Sequence, residues 1–203
     1  MAKEGLIFVL PSLVLALAFF ALRLPLPACV FLVLTLLFLF FFRDPSRVPP
    51  PLNKGEILSP ADGRVLEIVS TPEGQRMSIF LALYNVHLFR APMEGNIKIL
   101  KVVEGKFHPA YKVEASTENS RVKVEIDGNG KRVEMDVIAG VAARRIRPWK
   151  RQGESVVLGE RMGIVMFGSR VDLFVPKDFR FSVKIGDRVK GALTVLGRFG
   201  EEE

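Results

Sequence analysis

Val122-Lys123-Val124-Glu125-Ile126-Asp127-Gly128, followed closely by Arg132-Val133-Glu134-Met135-Asp136-Val137, is the stretch that decides the fold. Apolar and charged residues alternate on both sides of an Asp-Gly signal, the period of strands whose two faces meet different surroundings. The Asp-Gly pair tolerates the positive backbone dihedrals of a tight hairpin. Outward from this pair, short β-like runs alternate with turn signals: Arg64 to Val69, Met77 to Leu83, Ile97 to Val103, Gly163 to Phe167 and Val171 to Val175. No stretch after Arg43 keeps a helical period. The expected domain is therefore mainly β, a β-sandwich or partly closed barrel.

Two segments resemble one another, Ser59-Pro60-Ala61-Asp62-Gly63-Arg64-Val65 and Ile185-Gly186-Asp187-Arg188-Val189-Lys190-Gly191. Both are similar to the turns of barrel-sandwich hybrid domains, although the modifiable lysine of the carrier members, in its Met-Lys setting, is missing. This likeness bears on fold and carries no activity.

The first 43 residues are a different material. Leu6 to Leu22 and Leu26 to Phe42 are apolar, separated by Arg23 and a Leu24-Pro25-Leu26-Pro27 turn, which predicts a tight two-helix membrane hairpin. The spans are short, so the hairpin either crosses the bilayer or enters and leaves it on one side. Lys3, Arg43 and Arg47 place both ends and the domain of residues 44–203 on the cytoplasmic side of the cell membrane, with Arg23 in the turn arguing the other way. A second apolar run and the lack of a small-residue cleavage site speak against a signal peptide.

The single cysteine, Cys29, lies in the hairpin, which excludes an intramolecular disulfide and a cysteine-ligated metal site. No metal is expected. A net charge of +7 suits an anionic membrane surface or nucleic acid, and the hairpin decides for the membrane. Arg144, Arg145, Arg147, Lys150 and Arg151, interleaved with Pro148 and Trp149, then read as an interfacial surface or a solvated loop rather than a nucleic-acid patch.

A lone Gly-Ser between strands is usually a turn or bulge. Here Gly168-Ser169 follows Gly163-Ile164-Val165-Met166-Phe167 and stands in order behind Phe42-Arg43-Asp44-Pro45, Ser59-Pro60-Ala61-Asp62-Gly63, Asn85-Val86-His87 with Arg90-Ala91-Pro92, and Glu118-Asn119-Ser120-Arg121. Through these patches the chain, from about Phe41 to Gly197, resembles the short form of the phosphatidylserine decarboxylases.

The resemblance implies a proenzyme that breaks itself between Gly168 and Ser169, giving a β chain of residues 1–168 and an α chain of residues 169–203 that stay together as a heterodimer. The residue types suit that chemistry: a serine hydroxyl can attack the preceding carbonyl, and glycine leaves that carbonyl unshielded. Ser169 would become a covalent pyruvoyl cofactor, which converts phosphatidylserine to phosphatidylethanolamine and CO2 in phospholipid biosynthesis. Archaetidylserine, with the same headgroup, is an alternative substrate, and a non-catalytic membrane-tethered barrel-sandwich module is the alternative outside enzymes.

His87 matches the first histidine of the H-x-x-H pair in the family's long form, and Arg90 stands at the second position. Either His87 serves both processing and decarboxylation, or Asp62, which matches the aspartate of the long form's processing triad, acts on Ser169. Asp62 before Gly63 is also a good turn residue. Arg90 and Asn119 are candidate substrate-binding residues, with a salt bridge or backbone positioning as their ordinary roles. His108, beside Pro109, reads as structural.

Overall fold

The structure, a computed structural model, describes residues 1–111, 114–140, 145–166 and 169–200. It divides into two compact units, Met1–Ser46 and Arg47–Glu203.

The first unit is a helical hairpin. Helix α1 (Leu6–Ala21) and helix α2 (Pro25–Phe41) follow a single 3-10 turn at Lys3–Gly5. Pro25 opens α2, where its fixed φ fits and its missing N–H is no loss, while Arg23 takes φ 58° to reverse the chain. The Ala2 N–H donates to the Phe42 carbonyl at 2.8 Å, which closes the hairpin so that both ends lie together. Between the helices the Thr35 hydroxyl donates to Ser12 Oγ at 2.9 Å, and Phe8 stacks on Phe42. The outward side chains, Leu10, Val14, Leu17, Val30, Val33 and Leu36 among them, are exposed and apolar. Lys3–Ala21 is long and apolar enough to cross a membrane. The 16 residues of α1 alone rise about 24 Å, and α2, at 17, is of similar length.

The second unit is mainly β, as its alternating runs predict. Its strands are β1 (Glu56–Leu58), β2 (Gly63–Thr71), β3 (Gly74–Leu81), β4 (Leu88–Arg90), β5 (Gly95–Val103), β6 (Arg121–Gly128), β7 (Lys131–Ala139), β8 (Ile146–Pro148), β9 (Ser155–Val156), β10 (Arg161–Val165), β11 (Ser169–Val175), β12 (Arg180–Phe181), β13 (Arg188–Val189) and β14 (Val195–Arg198), with one helical turn, α3 (Ala115–Glu118). A curled eight-stranded sheet runs β13-β2-β3-β11-β7-β6-β5-β9, and two three-stranded sheets run β1-β14-β12 and β4-β10-β8. The core lies between them: Ile79, Leu81, Val124, Val137, Val171 and Leu173 from the large sheet meet Ile57, Phe89, Met162 and Leu196 from the small ones.

The hairpin of β6 and β7 forms in the register Val122↔Val137 to Gly128↔Lys131. Its turn is Asn129-Gly130, two residues beyond the Asp-Gly signal, with both φ positive at 54° and 71°. The strands therefore extend through Asp127-Gly128. The two look-alike segments pack against each other: Val189 pairs with Gly63 and Arg188 with Arg64, while the Ala192 N–H donates to the Ser59 carbonyl and the Ser59 N–H to the Thr194 carbonyl.

Candidate active site

Strand β11 begins at Ser169 and occupies the middle of the large sheet, between β3 and β7. Ser169 stands opposite Leu81 on one side and Ala139 on the other. Strand alternation puts it on the core face with Val171 and Leu173. The residue is 0% exposed, and its hydroxyl oxygen has no hydrogen-bond partner among the described residues. A buried hydroxyl left in that state costs about 1–3 kcal/mol, so packing alone gives no reason for serine here. Gly168, the other half of the predicted cleavage site, lies outside the described residues.

His87 is joined through its backbone to β10, the strand that precedes Ser169 in the chain, and its side chain makes no hydrogen bond to the Ser169 hydroxyl. Its backbone carbonyl accepts the Val165 N–H at 2.9 Å, which ties it to the last residue of β10, just before the chain returns to Ser169. The turn from Leu81 to His87 is folded by Asn85, whose side chain accepts the Ala82 N–H at 2.9 Å and whose N–H donates to the Ala82 carbonyl. The turn thus links the residue opposite Ser169 to the residue bonded at Val165. His87 is 1% exposed, with Nδ1 3.0 Å from the Asn85 carbonyl oxygen. A carbonyl only accepts, so this contact fixes the proton on Nδ1 and makes Nε2 the proton-accepting atom of the neutral ring.

Asp62 and Asn119 stand at the same end of the large sheet, just before β2 and β6, each two strands from β11 and so about 10 Å to either side. Neither side chain hydrogen-bonds Ser169. Asp62 is gripped by Arg47, with Nη1 on Oδ1 and Nη2 2.8 Å from Oδ2, and its Oδ1 also accepts the Gly191 N–H at 2.8 Å. Arg47 Nη1 further donates to the Gly191 carbonyl at 2.6 Å. The carboxylate therefore clasps the Ser59–Gly63 turn to its look-alike at Gly191.

Asn119 uses its amide on backbone: Nδ2 donates to the carbonyls of His108 and Ala139, and Oδ1 accepts the His108 N–H. It thereby holds Ala139, the neighbour of Ser169, to the loop that carries His108. Arg90 is 3% exposed in β4 and donates from Nη1 to the Gly159 carbonyl at 3.1 Å, a contact inside the protein wall. His108 is partly exposed and meets Glu118 through Nε2 at 2.9 Å, as suits a structural residue.

Behind Ser169, on the opposite face of β11, lies a buried ionic cluster for which the sequence gives no local sign. Arg170 donates from Nε to Asp172 Oδ1 and from Nη2 to Glu67 Oε1 and Ser78 Oγ, each at 2.5 Å. Ser116, in α3, donates to the other oxygen of Asp172 at 2.8 Å. Arg170 and Asp172 are both 1% exposed. Asp136, opposite Asp172 on β7, is pushed up to about 6 by burial, against the pull of Lys123 and Arg121 and with the nearby Asp172 charge adding to the rise.

Removing one partner from a buried ion pair leaves the other charge uncompensated. Arg170→Met in an uncleaved background is therefore expected to lower unfolding stability by about 3–5 kcal/mol in urea titration, with part of the loss regained on adding Asp172→Asn. A loss below about 1 kcal/mol would mean that water reaches the cluster.

A family model described as phosphatidylserine decarboxylase matches residues 34–197. The phosphatidylserine decarboxylase proenzyme of Desulfotalea psychrophila is 35% identical over 205 residues, covering 97% of this chain and 95% of that protein. The proenzyme of the Wolbachia of Brugia malayi is 38% identical over 98% of this chain and 91% of its own length, and that of Solibacter usitatus is 40% identical over 86% and 84%. No solved structure matches the chain significantly. The likeness runs through the apolar hairpin and the β unit of proteins of similar length, so the chain as a whole belongs to the phosphatidylserine decarboxylase family.

Proposed function

We propose that this chain is a membrane-anchored proenzyme that breaks itself between Gly168 and Ser169 and then decarboxylates phosphatidylserine with a pyruvoyl group made from Ser169. The observation that carries this reading is the buried Ser169 hydroxyl at the head of the central strand, which has no hydrogen-bond partner among the described residues. Its oxygen is engaged by none of those residues, and its full burial keeps bulk water away from it. Those are conditions under which an alcohol attacks the carbonyl next to it.

His87 is the proton-handling group in this scheme. With Nδ1–H turned to Asn85, Nε2 is the atom to take the Ser169 proton as the Gly168 carbonyl is attacked. The amide nitrogen of Ser169 leaves that carbonyl as the ester to oxygen forms. Loss of the Cα proton expels the carboxylate of Gly168 and leaves a dehydroalanine, which water converts to a ketone with release of ammonia. The pyruvoyl group, once made, supplies an electrophile for the substrate amine and a sink for the electron pair freed with CO2. His87 is then placed to return a proton to the carbon that lost the carboxylate. Asp62 supports processing by fixing its turn through Arg47, and Arg90 and Asn119 hold the walls in place.

The hairpin of residues 1–43 is the anchor, and the lipid substrate and the bilayer are the partners of the αβ pair. Lys3 and Arg43 favour a cytoplasmic position for the β unit. Arg47 adds less to that argument, because its charge is engaged by Asp62.

Intact mass measurement of the purified protein tests the reading. Two chains divided after Gly168, the smaller beginning with a pyruvoyl group, are expected. A single chain of 22.7 kDa in a preparation that releases CO2 from phosphatidylserine would overturn it.

A further inference from the structure

We propose that the Ser169 end of the β unit docks on the headgroup layer of an anionic bilayer through two elements, the stripe Arg145, Arg147 and Trp149 along β8 and the turn Leu83–Tyr84. The inference rests on the decarboxylase reading, because it concerns how a lipid headgroup reaches that end.

Strand β8 is the outer edge of the sheet β4-β10-β8. Alternation puts residues 145, 147 and 149 on one face, and all three are exposed, Trp149 by 37%. Arg145 and Arg147 have no carboxylate partner among the described residues. Lys150, by contrast, is held by Glu160 and Glu154, which removes it from the surface predicted from sequence, and Arg144 lies outside the described residues. The stripe starts at the site: the Arg145 carbonyl accepts the Met166 N–H at 3.1 Å, and Ile146 pairs with Val165, the residue bonded to His87.

On the other side of that strand end stands the turn between Leu81 and His87, with Leu83 60% and Tyr84 63% exposed. Tyr111, equally exposed, meets Phe80 edge-on at the same end of the sheet. Arginines beside aromatic side chains, next to uncovered apolar ones, match the boundary between lipid headgroups and chains. Phosphatidylserine itself supplies the complementary negative charge. A membrane anchor brings a domain to a bilayer, and docking through these two elements turns the Ser169 end toward its substrate.

Trp149 is the only tryptophan, so its fluorescence reports on the stripe alone. The full chain would be placed in protein-free vesicles whose lipids carry bromine close to the headgroup, with phosphatidylglycerol, an anionic lipid that has no serine carboxylate to lose, either present or replaced by phosphatidylcholine. Two arginines favour contact with an anionic surface over a neutral one by about 30-fold, so quenching is expected with phosphatidylglycerol and little without it. Arg145→Gln with Arg147→Gln is expected to remove the preference for the anionic lipid while leaving self-cleavage, read by mass, intact. Absent quenching, equal quenching in both lipids, or a Trp149 signal that follows protein rather than lipid concentration would overturn the proposal. The last outcome would assign the face to a second copy. The readout needs no turnover: a cleaved, active enzyme with unquenched Trp149 sinks the docking surface alone, and an uncleaved chain with quenched Trp149 sinks only the decarboxylase reading.

Discussion

Ser169→Ala is expected to remain a single full-length chain and to release no CO2 from phosphatidylserine. Alanine removes only the hydroxyl oxygen, and that oxygen holds no hydrogen bond among the described residues. Folding should therefore be untouched or slightly improved, since a desolvated polar atom disappears from the core. The loss would then be chemical, because neither the ester nor the ketone can form. Intact mass and a CO2-release assay read the result directly. Cleavage at 168–169 in this variant would require an attacking group other than the serine.

His87 is expected to give the second largest effect, a drop of about 10²- to 10⁴-fold in the rate of self-cleavage, the usual worth of a positioned acid or base. Two substitutions separate chemistry from packing. His87→Asn can still donate a hydrogen bond toward the Asn85 carbonyl from the Nδ1 position but cannot carry a proton between groups, whereas His87→Ala loses both functions. Equal failure of the two, followed over time by intact mass, identifies proton handling. A near-normal asparagine variant would reduce His87 to a peg for its turn and return the processing role to Asp62.

Alternating runs located β5, β6 and β7, because alternation over five or more residues leaves little choice when one face is buried, while the unbroken apolar run Gly163 to Phe167 marked β10. The run Met77 to Leu83 overshot by two residues: Leu83 is apolar yet sits in an exposed turn, and the strand ends at Leu81. Strands of two to four residues, such as β4, β8 and β13, escaped notice, since so few positions define no period. Their pairing is dictated by distant partners, as when Val189 finds Gly63.

The site was legible only in part. Gly168-Ser169 and His87 stood out through the order of separated patches, and the fold carries Ser169 and His87 to one strand end. Arg47 gave no sign, because its partners are Asp62 and the backbone of Gly191, far along the chain. Arg170 and Asp172 alternate with apolar residues, a pattern that carries no sign of burial on both faces. They are buried because the segment carrying α3 covers that face, which no pattern within β11 reveals. Asn119 was read as either a substrate or a backbone contact, and its amide is engaged with the carbonyls of His108 and Ala139 and the N–H of His108.

The central place of β11 governs what a break before Ser169 could do to the molecule. Every ladder bond of that strand is made to β3 and β7, which belong to the larger fragment, and β13 and β14 lie on β2 and β1 of the same fragment. The smaller piece would be woven through the larger one instead of resting on it. Pulling it free would open the main sheet down its middle, so the two pieces should travel together through dilution and native chromatography and part only in denaturant. Maturation would then change the covalent map of the protein while leaving its architecture, and the walls around its new chain end, as they were before the cut.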